Sequence, residues 1–141
     1  MASYGYTIST NGNFYLHVKF TPQRYFISRM YKSLDELQKA LPEIITKAKS
    51  AANLSRFKHK DTNRLHIVDK DNKTLAFTSA IPNDKIEKAF ISDITSLFKA
   101  LPKDFIQNIP LLHDYSKDTI KINSVTTFLD EIEKIKITKD E

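Results

Sequence analysis

Apolar and polar positions alternate in short runs over about residues 4–31. Turn residues punctuate these runs. "YGYTISTNGNFYLHVKF" carries Asn11-Gly12 between two stretches rich in β-branched and aromatic residues. A type I′ loop needs positive φ at both central residues, so the pair predicts a hairpin with a two-residue loop. "TPQR" offers a second turn with Pro22 preset for its first central position, and "RYFISRM" follows as a third strand. The result is a three-stranded meander. The period then changes. "SLDELQKALPEIITKAKSAA" opens with a capping box, Ser33 and Glu36, and places Leu34, Leu37, Leu41, Ile44, Ile45 and Ala48 on one helical face. Pro42 either kinks this helix or starts a second one.

"RLHIVDKDNKTLAFTSA" predicts another hairpin, turning near Asp71-Asn72. Asp84 and Glu87 suit a helix start, and Ile86, Ala89, Phe90, Ile94, Leu97, Phe98 and Leu101 form a continuous apolar stripe up to Pro102. "KDFIQNIPLLHDYSKD" is aperiodic and still apolar, the pattern of a packed loop. "TIKI" suits a short strand. Val125, Phe128, Leu129 and Ile132 suit a last helix before a charged tail.

These elements predict a single α+β domain spanning 1–141. An antiparallel sheet, the N-terminal meander plus the second hairpin, packs with two to three helices. The order of elements resembles in topology the small arm-type DNA-binding domains of integrases, which implies DNA contact by analogy of element order alone. The halves echo each other. Leu16-His17-Val18 recurs as Leu65-His66-Ile67, and "LQKALP" recurs as "LFKALP". The two matches have different spacings, so a duplicated sheet-then-helix unit requires an insertion between them.

Composition narrows the chemistry. With 40% hydrophobic and 28% charged residues, the 141-residue chain reads as soluble and globular. The absence of cysteine excludes disulfides, thiol catalysis and cysteine zinc sites, and fits a reducing, cytoplasmic setting. Only Gly5 and Gly12 are available, which argues against Gly-rich phosphate loops. No apolar run reaches membrane-spanning length, no signal peptide is visible, and no motif calls for a metal or other cofactor. The net charge of +5 is unevenly spread: residues 1–70 hold 12 Lys/Arg and 5 Asp/Glu, and residues 71–141 hold 10 and 12. All four arginines lie in the first 64 residues and five of the six tyrosines in the first 31, so a basic binding side is expected on one part of the domain.

Three constellations follow. With a two-residue Asn-Gly loop, Tyr6 lies opposite His17 and Tyr4 opposite Lys19. One sheet face then gathers Tyr4, Tyr6, Tyr15, His17 and Lys19, joined by Phe26 and Met30, with Arg24 in the following turn. Rings and cations on one surface suit base stacking beside phosphates, or a protein interface. The second constellation is "NLSRFKHKDTNR", where Arg56, Lys58, Lys60 and Arg64 surround Phe57, a basic segment that suits a phosphate backbone. The third is the pair His17 and His66, which across a cleft would act as acid and base on a phosphodiester; both lack the Ser/Thr two residues on that two-histidine phosphoesterases carry. The leading expectation is non-enzymatic binding of DNA or RNA. The alternative is a small protein-interaction module, an inhibitor or adaptor of the kind mobile elements carry, and phosphodiester cleavage comes last.

Overall fold

The computed structural model describes residues 2–117. The expected strand at "TIKI" and the expected last helix therefore lie outside the described residues. Strands β1 (Ser3–Ile8), β2 (Phe14–Thr21) and β3 (Arg24–Ser28) form the meander, and helix α1 (Leu34–Ala48) follows. Strands β4 (Ser55–His59), β5 (Thr62–Val68) and β6 (Thr74–Thr78) repeat that order before helix α2 (Asp84–Lys99). Strand β7 (Leu111–Asp114) comes last. Among the described residues these seven strands form one sheet in the order β4-β5-β6-β3-β2-β1-β7, with β7 parallel to β1 and every other pair antiparallel.

Both helices pack on one face of this sheet. Leu37, Leu41, Ile44 and Ala48 of α1 and Phe90, Ile94 and Phe98 of α2 meet Leu16, Val18, Phe26, Leu65, Ile67 and Ala76 in the principal core. Each helix starts with a side-chain cap: Ser33 accepts from the Glu36 N–H and Asn83 from the Ile86 N–H. Pro42 neither splits nor ends α1, which runs through it with the proline on the exposed side.

The two sheet-then-helix units are related by a pseudo-twofold axis at the centre of the sheet. Ile27 of β3 pairs with Phe77 of β6, and the flanking pairs are Phe26↔Thr78 and Ser28↔Ala76. Exchanging residue 27 with 77 maps this register onto itself. The outer strands obey the same exchange: Tyr6↔Leu16 corresponds to Arg56↔Leu65, and Gly5↔His17 to Ser55↔His66. Even the hydroxyl bridges repeat. Ser28 Oγ accepts from the Leu16 N–H (2.8 Å) and donates to the Arg29 carbonyl (2.7 Å). Thr78 Oγ1 accepts from the Leu65 N–H (3.0 Å) and donates to the Ser79 carbonyl (2.8 Å). Of the two sequence echoes, the Leu-His-apolar triplets occupy equivalent strand positions. The "LQKALP" match does not, because it begins near the start of α1 and "LFKALP" straddles the end of α2.

Candidate functional site

The first hairpin departs from the expected register by one residue. Ile8 rather than Ser9 pairs with Phe14. Asn11-Gly12 is no type I′ loop, because Gly12 has φ +81° while Asn11 is not among the positive-φ residues. The Gly12 N–H instead closes a turn onto the Ser9 carbonyl (2.9 Å), giving a longer loop with the glycine in the left-handed region. A slip of one residue turns a whole strand over. Tyr4 and Tyr6 therefore face the helices, Tyr4 edge-on to Phe105 and Tyr6 stacked with Phe14. Phe26 is also helix-facing and fully buried. The loop after β2 is short as expected, but a bulge between Lys19 and Thr21 reverses the faces.

On the other face lie Tyr15, His17, Lys19, Phe57 and Arg64. Its centre is a second small core of Tyr15, Ile27 and Phe77, with Tyr25, Met30 and Phe57 packed at its margin. Tyr15 is only 2% exposed, so its ring is core rather than a stacking platform, and burial pushes its hydroxyl above the ordinary tyrosine range. His17 receives or gives a 2.9 Å hydrogen bond at Nδ1 with Thr7 Oγ1. Burial first, then Lys19 and His113, push its pKa down to about 4. His66 stacks on Phe57 with ring centroids 4.3 Å apart. The two histidines occupy one transverse row, His17–Ile27–Phe77–His66, and stand three strand spacings apart, about 14 Å. They do not converge on one reacting atom. Among the described residues no group of three or more His, Asp or Glu is placed to hold a metal.

The basic stretch is not a flexible arm. It is the hairpin β4–β5, closed by a two-residue loop at Lys60 (φ 51°) and Asp61 (φ 63°). Positive φ at both central residues is the type I′ pattern. Alternation along β4 separates its cations from Phe57. Arg56 and Lys58 lie on the helix side, where Arg56 meets Glu87 (2.6 Å) and Asp84 (2.7 Å) of α2. Arg24 is likewise engaged, by Asp93 at 2.8 Å and over the Phe90 ring. Arg64 crosses the other face and donates to the Thr78 carbonyl (3.0 Å). The expected basic residues are thus distributed between two faces and a turn, and three of the arginines already have protein partners.

What the sequence did not show is the difference between the two ends of the sheet. At one end β7 lies beside β1. The Tyr6 N–H donates to the Pro110 carbonyl (2.8 Å), an approach that only glycine at position 5 permits, since a Cβ there would stand 2.2 Å from that oxygen. At the other end β4 has β5 as its single sheet neighbour among the described residues. The outward groups of β4 can be identified. The Leu65 N–H is used by Thr78 Oγ1 and the Asn63 carbonyl by the Ile81 N–H, both on the β6 side. Arg56↔Leu65 and Lys58↔Asn63 are therefore the pairs without mutual hydrogen bonds, and the N–H and C=O of Arg56 and Lys58 point out of the sheet. Both residues are exposed. A Pro–Leu–Leu run and a rare glycine were the available signals for the β7 end. No family model, curated protein or solved structure matches the chain. No helix among the described residues is long and apolar enough to cross a membrane.

Proposed function

We propose that the protein is a non-enzymatic interaction module that takes an extended segment of a protein partner onto the β4 edge. One observation carries this reading. The Tyr6 N–H on β1 is bonded to the Pro110 carbonyl, while its pseudo-symmetric counterpart, the outward Arg56 N–H, meets no strand among the described residues. A row of outward N–H and C=O groups is a template for strand addition, in which main-chain bonds supply affinity. Nucleic-acid binding is less well supported. Tyr15 is buried, Tyr4 and Tyr6 face the helices, and Arg24, Arg56 and Arg64 are engaged within the fold.

Lys58→Ala and Lys58→Pro separate the two readings. Proline is tolerated on an edge strand where its missing N–H faces outward, so both variants fold. Binders selected from a phage-displayed library of random dodecapeptides retain the Lys58→Ala protein and lose the Lys58→Pro protein. Equal retention by both variants refutes edge binding. Tight binding of a 20-mer oligonucleotide that falls steeply with salt, and falls equally in both variants, supports the nucleic-acid reading instead.

A further inference from the structure

We infer that the β4 edge selects an extended segment running antiparallel to β4, with an acidic residue opposite Lys58 and an apolar residue opposite Phe57. This rests on the reading of β4 as the binding edge and adds its orientation and chemistry.

Orientation follows from the comparison of the two sheet ends. β1 receives its neighbour in parallel because Gly5 lets the Pro110 backbone close in. The residue equivalent by register on β4 is Ser55, and a Cβ at that place is incompatible with a backbone approach like that of Pro110 at Gly5. The same parallel approach is not repeated there. Antiparallel pairing needs no such contact and is slightly more stable per residue.

Chemistry follows from the side chains. Cross-strand neighbours on one face interact directly, opposite charges favourably and like charges unfavourably. Lys58 is exposed on the helix side and has no carboxylate partner among the described residues, so a carboxylate opposite it is favoured. Arg56 already holds Asp84 and Glu87, so a third carboxylate opposite it gains little and a neutral residue such as threonine suits the place. Phe57, between them on the other face, is half-buried against His66 and Phe77 and extends an apolar surface to its outer neighbour. Read along the incoming strand, the preferred order is Asp/Glu, then Val/Ile/Phe, then Thr. A second copy of this chain fits poorly. Two β4 strands paired about Phe57 place Arg56 opposite Lys58 and Lys58 opposite Arg56, cation against cation.

The test uses the whole chain, labelled with nitrogen-15, and the peptide Gly-Thr-Glu-Val-Thr-Gly carrying a nitroxide on an added cysteine at one end or the other. The protein has no cysteine to compete for the label. The peptide shifts the amides of Arg56 and Lys58. Its amino-terminal label broadens the turn at Lys60 and Asp61, and its carboxy-terminal label broadens Leu54 and Ser55. A Glu→Lys peptide binds about tenfold more weakly. Broadening at the reversed ends overturns the antiparallel orientation while leaving the edge in place. Equal affinity of the Glu→Lys peptide overturns the charge preference. A concentration-dependent dimer in sedimentation, with Arg56 and Lys58 shifting on dilution, makes a second copy the occupant and overturns the acidic partner. No shift at Arg56 or Lys58 with any peptide or dilution removes the underlying reading of the edge itself.

Discussion

Replacing Thr78 by valine probes the internal symmetry at the level of single hydrogen bonds. The side chain keeps its volume, so no cavity opens. What disappears is a hydroxyl that accepts from the Leu65 N–H and donates to the Ser79 carbonyl. Thr78 and Leu65 are fully buried and Ser79 is 3% exposed, so water has little access to the orphaned groups. An unsatisfied buried polar group costs about 1–3 kcal/mol, so with two such groups the loss is about 2–6 kcal/mol. That is a large share of the stability of an ordinary domain. In urea, with a slope of about 2 kcal/mol per molar for a chain of this size, the unfolding midpoint falls by about 1–3 M at unchanged slope. Ser28→Ala removes the symmetry-related bridge between the Leu16 N–H and the Arg29 carbonyl and produces a loss of the same size. Thr46→Val, exposed on α1, is the control and stays within about 0.5 kcal/mol. A loss below about 0.5 kcal/mol in either bridge variant, or a large loss in one half and none in the other, refutes the equivalence of the two units.

Three further outcomes are expected. Gly5→Ala drives a Cβ into the Pro110 carbonyl, a backbone atom that cannot rotate aside; stability falls by about 1–3 kcal/mol and the Tyr6 amide loses its protection from hydrogen exchange, whereas unchanged protection contradicts the close approach. His17 takes up its proton near pH 4 when folded and near 6.5 when unfolded, so it removes stability as pH falls from about 6.5 to about 4, by at most about 3 kcal/mol, and no more below that; an NMR titration midpoint above 6 for its imidazole contradicts this. Asp61→Gly relieves a left-handed residue in the β4–β5 turn and raises the urea midpoint, by a gain of about 0.5–1 kcal/mol; a loss in this variant speaks against the type I′ geometry.

The elements legible in the sequence were those fixed by local pattern. The stripe of Phe90, Ile94 and Phe98 and the capping box at Ser33 each specify a helix from within a few residues. The meander and the turn near Asp71-Asn72 were legible for the same reason. Register was not. Asn11-Gly12 supports both a two-residue loop and a longer loop ending in a left-handed glycine, and the choice between them decides whether Tyr4 and Tyr6 face solvent or core. The hairpin β4–β5 was hidden by its own charge. Arg56, Phe57, Lys58 and His59 alternate as an edge strand does, with cations along one side and rings along the other, but a dense run of cations equally describes a solvated connection. Strand β7 and the order of the sheet depend on pairings distant in sequence, which no local pattern encodes. The Leu-His-apolar echo marks equivalent strand positions in the two units, whereas the second echo falls at different positions in the two helices.

Amide hydrogen exchange along β4 tests the central claim most directly, with the protein alone. If the outer edge of β4 is open, the Arg56 and Lys58 amides exchange at rates close to those of a solvated chain, while the Phe57 amide between them, bonded across to Arg64, is protected. Protection of Arg56 and Lys58 equal to that of Phe57 means that the edge is already covered, and contradicts its role as the binding surface.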